Sequence, residues 1–279
     1  MSGFSPEWLA LREAADHAAR NPQVLAAVGA HFAGRPALSV LDLGCGTGSN
    51  LRGSYQALPP RQHWTLVDHD PALLAAARQR LSDWADEARE LGEELVLTKG
   101  DWTITVDTRQ ADLTADLEWV LGWQPDLVTA AALFDLASRR WIERFVAALA
   151  SQRLPLYTAL TYDGRENWAP PHPVDAGVLA AFKHHQGTDK GFGPAAGPEA
   201  TEMLAEAFRK AGFAISTGDS SWRLSGAGHP LTVALAEGVA GAASETGRLD
   251  PAAVEDWRTA RRVATEVAIG HQDIWARPV

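Results

Sequence analysis

Apolar residues in this chain recur at two spacings, one typical of helices and one typical of short buried strands. Helical stripes cover residues 6–33, where Pro6 and Pro22 mark two helix starts. The spacing changes at 37–43, a short apolar run between Pro36 and a glycine cluster. Such a run is typical of a strand that is buried in a parallel sheet.

The same alternation continues along the chain. Strands are predicted at 63–67, 126–131 and 154–161, with one helix beginning at Pro71 and another over 140–149. Residues 94–98 and 103–109 alternate around Lys99-Gly100-Asp101, which indicates a hairpin. Strands separated by helices in this way predict βαβ units, and hence a parallel sheet with helices on both faces.

The second half changes character. Residues 163–197 interrupt the alternation and are rich in proline, glycine, histidine and aromatic residues. Beyond them the pattern predicts a helix at 198–211, a strand at 213–217, helices at 231–243 and 251–268, and a short closing strand at 271–276. No segment resembles a linker, so we expect a single domain over 1–279. Its parts are a helical cap (1–35), a core (36–162), an insertion (163–197) and the second half of the sheet with extra helices (198–279).

Composition narrows the class of protein. The 279 residues are 46% hydrophobic and 22% charged, which is typical of a globular chain. The formal net charge is −10 and no run rich in lysine or arginine occurs, so nucleic-acid or membrane partners are not expected. The single cysteine, the absence of a secretory leader and the absence of a long apolar run favour a cytoplasmic protein.

The strongest local signal follows the first predicted strand. The run Val40-Leu41-Asp42-Leu43-Gly44-Cys45-Gly46-Thr47-Gly48 places a glycine-rich turn directly after the strand, where a ligand can approach the backbone. The dinucleotide fingerprint G-x-G-x-x-G would need glycine at position 49, which is Ser49. The observed pattern is G-x-G-x-G, with an acid two residues before its first glycine.

This run resembles motif I of the class I S-adenosylmethionine-dependent methyltransferases, and the resemblance covers about 40–161. It implies an α/β fold with a Rossmann-like, mostly parallel seven-stranded sheet flanked by helices, in which the closing strand lies antiparallel beside the fifth. It also implies S-adenosyl-L-methionine as the cofactor, with the glycine loop against its amino-acid end. We therefore expect a methyltransferase that acts on a small-molecule acceptor, with anionic molecules among the candidates.

Two acids should complete the cofactor site. Asp68 ends the second strand, where the family's carboxylate binds the ribose hydroxyls, and Asp70 is better placed to cap the next helix. Near the adenine we expect Asp112 rather than Asp101, since Asp112 leaves room for only one short helix before strand four. The predicted cofactor-binding residues are Asp42, Gly44, Cys45, Gly46, Gly48, Asp68, His69, Asp112, Leu113, Ala130 and Ala131.

The insertion is the predicted substrate shell, because open α/β sheets bind ligands beyond the carboxyl ends of their strands. Predicted catalytic residues are His184, His185 and Asp135, and predicted substrate-binding residues are Tyr162, Arg165, Trp168 and Lys190. Asp135 fits helix capping equally well, and the insertion residues fit a lid held by its own polar contacts. Adjacent histidines on a helix cannot face one point, so no metal is expected there.

Other interpretations stay open on the sequence. Arg12, Asp16 and Arg20 share a helix face and are best interpreted as surface ion pairs, although either arginine could meet a carboxylate. Trp102 and Trp168 are the tryptophans expected to line a pocket. The alternative functions are an NAD-dependent oxidoreductase and a non-catalytic cofactor-binding subunit. The sequence does not indicate an oligomeric state.

Overall fold

A computed structural model describes residues 4–279 as one sheet with helices on its faces. The strands are β1 (Leu38–Leu43), β2 (Arg61–Asp68), β3 (Glu87–Leu91), β4 (Glu94–Lys99), β5 (Trp102–Gln110), β6 (Leu127–Ala131), β7 (Leu156–Ala169), β8 (Phe213–Asp219), β9 (Trp222–Ser225) and β10 (Glu266–Pro278). The helices are α1 (Pro6–Ala19), α2 (Pro22–Phe32), α3 (Ser49–Ser54), α4 (Pro71–Trp84), α5 (Leu117–Leu121), α6 (Arg139–Gln152), α7 (Asp175–Gln186), α8 (Ala200–Lys210), α9 (Pro230–Glu245) and α10 (Pro251–Arg261).

The centre of the sheet is parallel and its margins are antiparallel. The strand order is β3-β4-β5-β2-β1-β6-β7-β10-β8, and β9 pairs with β10 beside this path. The five strands from β5 to β7 are parallel to one another. Since β1 has β2 on one side and β6 on the other, the chain reverses its winding there, and ligands bind at such a switch point.

The α/β class and the parallel core are confirmed, but the expected count of seven strands is wrong. Among residues 4–279 the sheet has ten strands, because three are added to the seven: β4 of the predicted hairpin, β3 beside it, and the short strand β9 beside β10. The closing strand does lie antiparallel to β7. It begins at Glu266 rather than near 271, so the helix expected over 251–268 ends at Arg261.

Local sequence explains where the N-terminal helices begin. The Ser5 hydroxyl accepts a hydrogen bond from the Trp8 amide, and Pro6 occupies the first turn of α1. Asn21 and Pro22 repeat this arrangement at α2, where the Asn21 side chain accepts from the next two free amides. These caps satisfy amides that have no partner within the helix.

Three apolar cores hold these layers together. One packs α5, α6 and α8 on one face of the parallel strands, and a second packs α2 and α4 on the opposite face. A third lies among α7, α9, α10 and the far ends of β7 and β10. The insertion thus rests on its own core and covers one end of the sheet. No helix within residues 4–279 is both long and apolar enough to cross a bilayer.

Candidate cofactor and substrate cavity

A cavity of about 640 Å³ opens at the carboxyl ends of the central strands. Its floor comprises the loops after β1, β2, β5 and β6, and its roof comprises α1 together with the end of α7 and the loop that follows it. This volume lies within the ordinary range for small-molecule and cofactor sites.

The glycine loop forms one wall of this cavity. Gly44, Gly46 and Gly48 all have positive φ, a backbone conformation that residues other than glycine rarely adopt. A Cβ atom at Gly46 would lie 3.0 Å from Leu9 Cδ1 of α1, so the loop is also closely covered. The Cys45 amide donates to the carbonyl oxygen of Val67 at 2.9 Å, which ties the loop to β2. Gly44, Cys45 and Gly46 line the cavity, whereas Gly48 is the N-cap residue of α3 and is not part of the cavity wall.

Asp68 lies at the end of β2 and lines the cavity, as its predicted role requires. One carboxylate oxygen accepts from the Gly46 amide at 2.9 Å and the other from the Asp70 amide at 3.1 Å. Only 6% of the surface of Asp68 is exposed. The carboxylate is thus buried, whereas an acid at the end of a strand is usually exposed to solvent. His69, which follows it, lines the same wall.

Asp42 lies beneath the glycine loop and does not reach the cavity. Its Oδ1 accepts from Asn50 Nδ2 at 2.7 Å, and its Oδ2 is buried without a partner among the described residues. Burial away from water raises the pKa of this carboxyl to about 7, with Asn50 opposing the shift. Asp42 therefore does not make the direct contact with the cofactor that was predicted. It holds the side chain of Asn50 instead, and Asn50 lines the cavity.

The two candidates for the third acid are clearly separated in space. Asp112 follows β5 and lines the cavity, and its Oδ1 accepts from both the amide and the hydroxyl of Thr114. The hydroxyl of Thr114, more than its amide, lowers the pKa of Asp112. Asp101 lies in the exposed β4–β5 turn and is not among the residues of the cavity wall. Leu113 and Ala131 also line the cavity, whereas Ala130 is buried in β6.

The interpretation of the α1 residues as a surface ladder is wrong. Arg12, Asp16 and Arg20 are each less than 10% exposed, and all three line the cavity. Arg12 does pair with Asp16 at 2.8 Å, but Trp222 of β9 donates to the same carboxylate at 3.0 Å and covers the pair. Sequence spacing gives the face that these residues share but not what packs on it, and β9 lies some two hundred residues away.

Arg20 joins α1 to the floor of the site. One guanidinium nitrogen donates to Asn50 Oδ1 at 2.8 Å and another to the Tyr157 hydroxyl at 3.3 Å. Asn50 in turn contacts Asp42, so a buried polar chain runs from the N-terminal helix to the first strand. Coulombic attraction to Tyr157 and Asp273 outweighs desolvation and raises the pKa of Arg20, which therefore stays charged.

Two of the five site residues predicted in the insertion line the cavity. His185 and Lys190 line the cavity, and His185 lies between Glu245 Oε2 at 2.9 Å and Lys190 Nζ at 3.4 Å. His184 lies outside and contacts Arg248 at 3.3 Å. The two adjacent histidines therefore do face different directions, as helix geometry requires.

The other predicted substrate and catalytic residues do not line the cavity. Arg165 is committed to Asp163 and Asp219 on the outer surface, because β7 continues past the expected end of the strand. Tyr162 and Trp168 are buried in the third core and both donate to Glu166. Six residues that were predicted to form the site therefore lie outside the cavity wall. They are Arg165, Tyr162, Trp168, His184, Asp135 and, for the expected aromatic wall, Trp102.

Asp135 and Trp102 have structural environments of their own. Asp135 lies in the turn after β6, where burial raises the pKa of its carboxyl to about 6 and its Oδ1 has no partner among the described residues. Trp102 begins β5 and donates to the Leu58 carbonyl at 3.2 Å, packing beside Tyr55. Neither forms part of the cavity wall.

Residues 40–152 match the family model described as a methyltransferase domain. These residues are a methyltransferase domain. The resemblance drawn from the glycine loop is thereby confirmed, and S-adenosylmethionine is the cofactor of that family. No curated protein matches the chain.

One solved structure shares the fold of this chain, and a second is reported beside it. A cyclopropane-fatty-acyl-phospholipid synthase-like protein from Lactobacillus casei is 15% identical, with a TM-score of 0.54 over 97% of this chain and 94% of that one. Magnesium protoporphyrin IX methyltransferase from Synechocystis, solved with bound S-adenosylhomocysteine, is 16% identical, with a TM-score of 0.45 over 99% and 90%. At these identities the first comparison supports the fold alone.

The methyltransferase domain supplies only the floor of the cavity. Several apolar and charged wall residues come from outside 40–152 and are not among the predicted site residues. They are Phe4, Leu9, Leu160, Phe182, Asp189, Phe192 and Glu245. What these residues share is that they lie beyond the carboxyl ends of the strands. That rule predicts the region of the site but does not identify the individual side chains.

Proposed function

We propose that this protein transfers a methyl group from S-adenosylmethionine to a small-molecule acceptor enclosed in the cavity. The observation that carries the proposal is one continuous wall formed by Gly44, Gly46, Asp68 and Asp112, all at the carboxyl ends of β1, β2 and β5. Within a confirmed methyltransferase domain, this wall provides backbone for the amino-acid end of the cofactor and two carboxylates for its nucleoside.

The opposite wall would bind the acceptor. It combines apolar side chains such as Leu136, Phe182 and Phe192 with the cation Lys190. This composition suits a molecule with an apolar body, and the cation supports an anionic group on it. Residues from α1 and from the insertion close over the site and would exclude water from the reaction.

The bound cofactor supplies an electrophilic methyl group on its sulfonium. The residues of this chain would hold the acceptor in line with that group, and positioning of this kind provides much of the rate in such a transfer. His185 is the residue on this wall that could accept a proton from the acceptor atom, with Glu245 fixing the orientation of its ring.

Neither alternative function gains from the structure. An NAD-dependent oxidoreductase would need a third glycine where Ser49 instead places its carbonyl and hydroxyl oxygens 3.0 Å from His17 Nε2. A non-catalytic subunit would not need an enclosed acceptor wall beside the cofactor wall. Turnover by the purified chain would exclude the interpretation as a non-catalytic subunit.

Calorimetric titration with S-adenosylhomocysteine tests the cofactor wall. Asp68→Asn should weaken binding at least about tenfold, since a charge-assisted hydrogen bond is worth roughly 1.5–3 kcal/mol. Asp101→Asn is the matched control, because this exposed acid lies in the β4–β5 turn, and its affinity should equal that of the wild type. Failure of the wild type to bind the ligand at millimolar concentration would refute the proposal.

The acceptor wall is tested by turnover once an acceptor is found. His185→Ala should lower the rate by roughly 100-fold while leaving affinity for S-adenosylhomocysteine unchanged. His184→Ala is its control, since the neighbouring imidazole lies outside the cavity. Equal rates for the two variants would remove His185 from the reaction.

A further inference from the structure

Three side chains converge outside the cavity, on neighbouring strands of the sheet. His63 belongs to β2, Asp107 to β5 and Glu94 to β4, in the sheet order β4-β5-β2. We propose that these three residues bind one divalent transition-metal ion, with Zn²⁺ the best match. The proposal does not depend on methyl transfer, because none of the three lines the cavity.

The three side chains place their donor atoms close to one another. The imidazole nitrogen and one oxygen of each carboxylate all lie within 4.8 Å of one another, and His63 Nε2 is 2.7 Å from Asp107 Oδ2. The antiparallel register pairs Leu95 with Val106, which places Glu94 directly opposite Asp107. Strand register therefore places all three residues on one face of the sheet, since His63 pairs with Thr105, two residues from Asp107.

The charges at this point favour a bound cation. Like charges directly opposite in a sheet destabilise it, and Glu94 faces Asp107 in this way. Arg109 relieves the repulsion only in part, since its Nη2 is 3.5 Å from Asp107 Oδ1 while its Nη1 pairs with Glu93 at 3.4 Å. Within residues 4–279 the Glu94 carboxylate has no ion pair or hydrogen bond to a side chain or backbone group. An ion between the two carboxylates would remove the repulsion.

The donor set selects the metal. One imidazole and two carboxylates suit Zn²⁺, whereas Mg²⁺ and Ca²⁺ prefer ligand sets made of oxygen alone. Three protein ligands leave a fourth tetrahedral position for water. Because the donors come from three hydrogen-bonded strands, the ion would fasten the β4–β5 hairpin to β2 and stabilise that margin of the sheet.

The test uses the full chain after chelator treatment, titrated with ZnCl₂ by calorimetry. We expect one equivalent to bind, and the Tm to rise by about 5 °C when zinc is in 100-fold excess over its Kd. His63→Ala and Glu94→Gln should each weaken binding by at least about tenfold and reduce the rise in Tm at the same zinc concentration. The side chain of His63 is 48% exposed, so its removal should not prevent folding.

Glu93→Gln is the matched control, since this adjacent carboxylate pairs with Arg109 and is not a proposed ligand. It should bind zinc as the wild type does. Absence of zinc binding by the wild type would overturn the proposal, and so would unchanged affinity in both ligand variants, which would place the ion at other histidines. Equal affinity for Mg²⁺ would overturn the choice of zinc.

Discussion

A single buried carboxyl group distinguishes the first strand. Asp42 is fully buried, and burial raises its pKa to about 7 from an ordinary value of 3.8. The folded protein therefore keeps a proton that the unfolded chain releases between about pH 4 and pH 7. Because the folded state binds the proton more tightly, this group favours folding most at low pH, and the advantage is lost as the pH rises towards 7.

Asp42→Asn should remove that dependence while keeping an acceptor for Asn50. We expect the stability of the variant relative to the wild type to increase by about 2–3 kcal/mol between pH 5 and pH 8. Urea unfolding of both proteins at the two pH values measures the difference. Asp135, whose pKa is raised to about 6, titrates in both proteins and so cancels in the comparison. A difference that stays constant with pH would show that Asp42 is ionised in the folded state.

The sequence predicts the position of an individual residue when that position depends on the strand next to it in the chain. The predicted residues Gly44, Gly46, Asp68 and Asp112 line the cavity because each lies at or just beyond the carboxyl end of a strand. Arg12 was placed on the surface because its burial depends on Trp222, a distant residue that covers it at 4.9 Å. Local pattern cannot contain that information.

The loop between α7 and α8 covers the acceptor side of the cavity. Asp189 organises it, since its Oδ1 accepts from the amides of Gly191 and Gly193 at 2.7 and 3.0 Å. Phe192 packs edge-on against Trp141, with ring centroids 5.1 Å apart. The loop thus has a defined conformation that holds Lys190 and Phe192 over the site.

Asp189→Ala should release this loop without weakening the cofactor wall. We expect the KM for the acceptor to rise several-fold while the affinity for S-adenosylhomocysteine stays within twofold of the wild type, because the acid holds the roof and not the floor. Steady-state kinetics and calorimetry measure the two effects. A parallel loss of cofactor affinity would show that the loop also orders the glycine turn.

Elements with strong periodicity were predicted well, and elements defined by pairing were not. The central strands and α6 occur close to their expected bounds. β7 continues to Ala169 through a polar sequence, because β10 pairs with it along nearly its whole length. β9 has only four residues and exists because β10 offers it an edge. Partners of this kind cannot be inferred from the composition of one segment.

Ligand binding should be visible in the stability of the whole molecule. If S-adenosylhomocysteine binds only the folded protein, a concentration of 100 times its Kd stabilises the fold by about 2.7 kcal/mol. For a chain of this size that corresponds to an increase in Tm of about 5 °C. Thermal unfolding followed by tryptophan fluorescence measures it. Asp68→Asn should show a smaller increase at the same ligand concentration, and an equal increase would contradict the ribose assignment.

The position of β10 has a consequence for synthesis of the chain. β10 follows every other described element in sequence, yet it lies inside the sheet and is the strand with which β9 pairs. The helix that roofs the cavity contacts β9 through Asp16 and Trp222. On the ribosome, the methyltransferase domain can therefore begin to fold while α1, although it precedes this domain in sequence, still lacks the surface on which it rests. The cavity is completed only after β10 has emerged.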